Sequence, residues 1–209
     1  MQTRRQTLAL AGALGVVLVT PTFAQDANRP NPMPEDLRKA IERDPTAPVL
    51  GNPKGDITLT EFFDYNCPFC KKIVPTIHKL ISSDPDLRVV FREWPVFGEG
   101  SEFAARASLA SLAQGKYWQT HTALMAMKDR AAEPSVMRAV RDLGLDEAKL
   151  RADMQSDRVS SHISRSFELA DHMSLVGTPT LIAGDEARFG DTSLDELKAL
   201  VARARKTLA

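Results

Sequence analysis

Cysteine is scarce: two in 209 residues, Cys67 and Cys70. That rules out a framework of structural disulfides and a zinc site built from four thiolates. Histidine is scarce too. His78, His121, His162 and His172 stand apart without ligand spacing, so no metal is expected, and no motif calls for a cofactor. Charge of one sign is not in excess, with 27 basic and 27 acidic residues. The first 24 residues hold Arg4 and Arg5 and no acid, so the remainder carries 25 − 27 = −2. That balance speaks against nucleic acid or an acidic membrane face as a partner. Beyond the N-terminus no run of 18 apolar residues occurs, so no ordinary membrane span is expected. There are no internal repeats. Hydrophobic residues make up 43%, enough for a core in one domain, or in one domain with an insertion.

The N-terminus has the three parts of an export signal. Arg4 and Arg5 supply charge, Leu8 to Val19 an apolar core, and Thr22-Phe23-Ala24 a cleavage site. The expected signal peptide is 1–24 and the expected location the periplasm. The run Thr3-Arg4-Arg5-Gln6-Thr7-Leu8 loosely resembles a twin-arginine signal, and an uncleaved anchor is the alternative. Residues 25–47 read as a polar leader followed by a short helix from Pro34 to Asp44. Leu37, Ala40 and Ile41 share one face of that helix, which either packs on the domain or serves as a homo-oligomerisation stalk through residues 34–44.

In an oxidising compartment cysteines usually pair for structure. Here both lie in one C-x-x-C, and a loop that small constrains little chain. Redox chemistry explains the pair better. Ile57 to Phe63 alternates and ends in aromatics, as a buried strand does. From Pro68 the period changes to three and four, through Ile73, Val74, Ile77, Leu80 and Ile81; Pro75 should kink this helix. Leu87 to Trp94 is a second strand. Strand, helix, strand implies a parallel pair with a right-handed crossover. Residues 99–173 lose strand signals and read as five helices. Thr180 to Ala183 and Ala187 to Phe189 then form a hairpin about Gly184-Asp185, and Ser193-x-x-Glu196 caps a last helix.

A helix N-terminus lowers a thiol's pKa, because unpaired N–H groups and the helix dipole stabilise the anion. Cys67 immediately precedes the helix and is expected to be exposed and to attack. Cys70, one turn in, is expected to be covered and to resolve the mixed disulfide. Lys71 and Lys72 are expected on the exposed helix face. Tyr117, Trp118 and Phe167 read as core, and Phe69, Pro95, Phe97 and Met173 as candidates for a substrate groove.

The strand, the C-x-x-C, the proline five residues after it and a later Gly177-Thr178-Pro179-Thr180 before a hairpin resemble the thioredoxin fold. A helical block between its halves is similar to the DsbA-like disulfide oxidoreductases. The wording Asp64-Tyr65-Asn66-Cys67-Pro68-Phe69-Cys70-Lys71 and the leader helix look most like the Com1 and ScsC branch. The resemblance implies an α/β class: a thioredoxin βαβ half over 48–98, an inserted all-helical domain over 99–173 and a ββα half over 174–209. It implies that Pro179 is a cis-proline facing the cysteines and that the Thr178 backbone pairs with an extended substrate. It also implies that Glu61 is a buried acid beneath the pair, the alternative being a solvent-facing strand charge. Pro68 and Phe69 hold the tuning positions. Strong oxidants of the family carry histidine where Phe69 stands, so a milder oxidant is expected. Implied partners are unfolded or misfolded cysteine-containing envelope proteins and a membrane thiol-redox partner, the direction of electron flow being open between oxidase and isomerase or reductase. A non-enzymatic chaperone or metal-binding protein is the competing class.

Overall fold

A computed structural model describes residues 32–208; the expected signal peptide and most of the leader lie outside that range. Five strands form one sheet in the order β1-β3-β2-β4-β5. These are β1 Val49–Gly51, β2 Ile57–Phe63, β3 Leu87–Glu93, β4 Thr180–Ala183 and β5 Glu186–Phe189. β2 and β3 run parallel, in register from Ile57 opposite Leu87 to Phe63 opposite Glu93. β1, β4 and β5 are antiparallel to their neighbours. The helix α2, Pro68–Ser83, makes the crossover and runs through Pro75 as one helix. The sheet and crossover have the thioredoxin architecture.

Every residue of β2 and β3 is buried, so the two faces are read from what each meets. Leu59, Phe63, Val89, Phe91 and Leu181 point to a core shared with α2, the helical block and the last helix. Phe62, Trp94 and Ile182 point the other way, to a smaller core with Ile41, Leu169 and Ala170. The block between β3 and β4 comprises α3 Glu99–Ala110, continued as a 3-10 turn to Gln114, α4 Tyr117–Met125, α5 Glu133–Asp142, α6 Glu147–Asp153 and α7 Asp157–His172. α8, Leu194–Leu208, closes the chain. The predicted capping box holds it: Ser193 N–H donates to Glu196 Oε2 at 2.9 Å and Glu196 N–H to Ser193 Oγ at 3.3 Å.

Three differences from the sequence reading stand out. β1 was not expected; it pairs only three residues with β3, and at Gly51, φ 73°, a Cβ would lie 2.5 Å from the Leu87 carbonyl oxygen. The first long helix of the block, read in the sequence as an Ala-rich stretch from Glu102 to Gln114, starts at Glu99. The leader helix α1 is Glu35–Glu42 with Pro34 as its cap, one position before the helix proper.

α1 spends its apolar stripe on its own domain. Ile41 is fully buried, and Leu37 and Ala40 pack against Phe62, Trp94 and Ile182. Arg92, on β3, ties it down. The Arg92 guanidinium donates to the Ala40 and Ile41 carbonyls and to Asp44 Oδ2 at 2.8 Å. Those carbonyls are among the last of the helix, which have no partner within it.

Candidate functional site: a cysteine pair under a proline loop

β2 ends at Phe63, and Asp64 turns the chain toward α2 by accepting from the Asn66 N–H at 2.6 Å. Asp64 also accepts from the Ser101 hydroxyl at 2.7 Å and from the Phe97 N–H at 3.0 Å. Asn66 pairs with the Ala131 backbone in both directions, donating to its oxygen at 3.2 Å and accepting from its N–H at 2.7 Å. The turn before the cysteines is therefore tied to the helical block. Both residues were read in the sequence only as wording around the cysteines, although Asp two places before a turn residue is a local turn signal.

Cys67 is the N-cap of α2. Its Sγ accepts from the Cys70 N–H at 3.4 Å, the role usually taken by a serine or aspartate oxygen. On its other side the Cys67 thiol donates to the Thr178 carbonyl at 3.2 Å. The Thr178–Pro179 peptide bond is cis. Thr178, two residues before β4, meets the tip of α2.

This contact corrects the expected exposure of Cys67. Its relative exposure is 1%, against 0% for Cys70. The Thr178 carbonyl lies against Cys67, and Thr178 and Pro179 are both buried, while Pro68 and Phe69 remain outside, Phe69 at 52%. The asymmetry expected between the sulfurs lies in their electrostatics. The Cys70 thiol donates to Cys67, and with the N–H groups of Cys70 and Phe69 it brings the Cys67 pKa down to about 6, against the opposing effect of burial. Cys70 is pushed far up, first by burial, then by its bond to Cys67 and by the charge of Glu61.

Glu61 is 2% exposed, and its Oε1 has no hydrogen-bond partner. Burial, then the Cys67 thiolate, then Glu93 raise its pKa to about 8. The solvent-facing alternative is thereby overturned. A carboxyl group held between its neutral and charged forms near neutral pH, within electrostatic reach of both sulfurs, can give or take the proton that exchange moves.

Two further expectations change. Lys71 is not a solvated face residue: Nζ donates to the Met127 and Asp129 carbonyls at 2.7 and 3.3 Å, joining α2 to the loop after α4. Lys72 is exposed and pairs with Asp191. Of the four groove candidates, Phe69 and Phe97 are exposed at 52% and 43%, but Pro95 is buried and Met173 packs against the smaller core. Val96, Val176 and Phe189 are exposed instead, on loops and an edge strand that period-two and period-three patterns do not describe. Tyr117 is core as expected, and Trp118 and Phe167 pack against the cores at partial exposure.

A family model described as DSBA-like thioredoxin domain matches residues 58–202. The chain belongs to the DSBA-like thioredoxin domain family. Its solved structural neighbours include the catalytic domain of Proteus mirabilis ScsC and a thiol–disulfide exchange protein, DsbA2, from Wolbachia pipientis, 26% and 30% identical at TM-scores of 0.75. A thioredoxin-like oxidoreductase from Silicibacter pomeroyi is 47% identical, with a TM-score of 0.79 over 81% of this chain and 98% of that one. A periplasmic thioredoxin-like protein from Salmonella enterica serovar Typhimurium is 28% identical, with a TM-score of 0.75 over 83% and 98%. Disulfide bond formation protein D of Bacillus subtilis is 27% identical over 76% of this chain and 77% of its own length. The chain also matches Na+/H+ antiporters: NhaA 3 of Salinispora tropica is 28% identical over 75% of this chain, which spans 24% of the antiporter's length.

Proposed function

We propose that this DSBA-like chain is an exported, mildly oxidising enzyme that passes a Cys67–Cys70 disulfide to cysteine-containing envelope proteins in the periplasm. Residues 1–24 act as the signal, with the twin-arginine route as a variant, and the working domain comprises 48–98, 99–173 and 174–209. A substrate thiolate attacks Cys67, Cys70 leaves as a thiolate, and Glu61 supplies its proton. A second substrate thiolate then attacks the substrate sulfur of that mixed disulfide, forming the substrate disulfide and releasing Cys67 as a thiolate, which leaves the enzyme reduced. A membrane thiol-redox partner reoxidises it. Pro68 and Phe69 shape the mouth, and Thr178 and Pro179 hold substrate against Cys67.

One observation carries the reading. The sulfur that caps α2 is the same sulfur that faces the Thr178 carbonyl, so the activated thiol and the strand-pairing loop share one point. The periplasmic Salmonella relative supports the location. Phe69, which offers no ring N–H, supports a mild potential. A homo-oligomer held through residues 34–44 loses support, because Ile41, the centre of that helix's apolar stripe, is buried within its own domain.

Trapping free thiols in intact cells separates the directions of flow. The oxidase reading expects Cys67 and Cys70 to be recovered mainly as a disulfide, and a mainly reduced pair would turn the assignment to isomerase or reductase. Loss of insulin reduction in Cys67→Ser is expected in either case, and its retention would revive the non-enzymatic class.

A further inference from the structure

Glu61 is one of two glutamates buried on this face of the sheet. Glu93 is the other. In the β2–β3 register Glu61 is opposite Phe91 and Phe63 is opposite Glu93, so period-two alternation puts both carboxyl groups on one face as diagonal neighbours. Glu93 is 1% exposed, and His162, on α7, is 0% exposed.

Proton accounting around Glu93 is restrictive. The Tyr117 hydroxyl donates to Oε1 at 2.7 Å. Oε2 lies 2.7 Å from His162 Nε2, a separation that requires a proton between them. Across the ring, Nδ1 is 3.3 Å from Thr46 Oγ1. The Thr46 hydroxyl already donates to Asp44 Oδ1 at 2.7 Å, so its oxygen accepts and Nδ1 carries a hydrogen. The second proton is shared by Nε2 and Oε2. On Nε2 it gives an imidazolium and a Glu93 carboxylate; on Oε2 it gives a neutral imidazole and a neutral acid. The Glu93 backbone N–H also donates to Nε2, at 3.4 Å, a contact made only in the form with the proton on Oε2.

We propose that Glu93 and His162 form a positioning pair for the exchange reaction, the location of their shared proton deciding how tightly Glu61 holds its own. The inference deepens the role given to Glu61 above and rests on it. In the resolving step the Cys70 proton passes to the Glu61 carboxylate. The Cys70 sulfur bonds to Cys67, and the other sulfur leaves as a thiolate with the electrons of the broken S–S bond. Glu61 must be ionised beforehand. A proton on Glu93 allows that, and a charge on Glu93 opposes it.

The titratable and charged neighbours are few. α2 presents Cys67 and Cys70, the loop before it Tyr65, α4 Tyr117 and His121, and α7 His162. Arg92, next to Glu93 on β3, is paired with Asp44. β4 and α8 contribute apolar Leu181, Leu197 and Leu200 to this core.

The test uses the reduced enzyme with oxidised glutathione, following release of the second glutathione from the Cys67 mixed disulfide against pH. The wild type should show one inflection from Glu61, which Glu61→Gln removes. Glu93→Gln keeps both hydrogen bonds without the charge and should move the inflection down by about half a pH unit or more, roughly a threefold change in ionised fraction. An unmoved inflection in Glu93→Gln, with Glu61→Gln behaving as stated, overturns the pair and leaves Glu61 standing. An inflection that survives Glu61→Gln overturns both. Should Glu93→Gln not fold, wild-type protein labelled with carbon-13 at the glutamate carboxyls decides by NMR. The Glu93 resonance should move through the pH interval in which Glu61 titrates, and a flat Glu93 resonance there contradicts the proposal.

Discussion

Cys67 Sγ and the carbonyl oxygen of Thr178, 111 positions apart in the chain, lie 3.2 Å from one another. The contact closes the site over its own nucleophile. Phe69, in the first turn of α2, and Val96, Phe97 and Val176, on loops, remain exposed.

Phe69 is half outside the protein, in the first turn of α2, so replacing it disturbs little packing. An imidazolium there would add a positive charge beside the Cys67 thiolate. Phe69→His should lower the Cys67 pKa by about 1 unit and raise the reduction potential by about 30 mV. Equilibration with glutathione buffers measures the potential. An unaltered value would mean that the helix end and Cys70 alone set the thiolate.

Glu61 links pH to stability. Its pKa of about 8 in the fold lies above the ordinary 4.5, so the folded dithiol enzyme keeps a proton that the unfolded chain releases. This contribution is complete below about pH 4.5 and is lost as pH rises toward 8. Glu61→Gln removes that loss. Its urea midpoint should fall less than the wild type's between about pH 5 and 8, while exchange at neutral pH slows by roughly 10²-fold. Parallel midpoints for the two proteins would count against a buried, proton-holding Glu61.

The Asp64 carboxylate holds three donors that have few alternatives: the Asn66 and Phe97 N–H groups and the Ser101 hydroxyl. Asp64→Ala should cost about 3 kcal/mol in urea unfolding and also slow exchange, since the same turn positions Cys67. A loss of stability without any loss of rate would separate the turn from the site.

Much of this was legible from local pattern. β2, α2, β4 and the cap of α8 follow from alternation, a three-to-four period and capping chemistry, all short-range properties. β1 was not, because three residues ending in glycine carry no period. The cover over Cys67 was missed for a different reason: it comes from a loop over a hundred residues away, and a helix N-terminus by itself suggests exposure. Lys71 reads as a surface lysine until the loop after α4 brings two carbonyls to it. The pairing of Glu93 with His162 joins β3 to α7 across a separation of 69 positions, with no motif to announce it.

Arg92 and Asp44 are fully buried partners, 0% and 1% exposed at the side chain. Burial alone would raise the Asp44 pKa, but hydrogen bonds from the Thr46 hydroxyl and N–H and from Arg92 bring it down to about 2. Its contribution is therefore present above about pH 4 and is lost as pH falls through 2. Arg92→Leu strands that charge and uncaps α1, with an expected loss of about 3–5 kcal/mol. Urea unfolding measures the cost, and proteolysis near Pro45 should report the released helix. Wild-type resistance in both assays would show that α1 does not depend on this pair.

The central claim is that Cys67 is the thiol that reacts, as an anion held by the end of α2 and by Cys70. Thiolate absorbance at 240 nm, followed against pH in the reduced protein, tests it most directly. The account predicts one thiolate appearing with a midpoint near 6, absent in Cys67→Ser, with Cys70 staying protonated throughout the neutral range. A chain with no thiolate below about pH 8, the range of an ordinary cysteine, or one whose early thiolate survives Cys67→Ser, would contradict it.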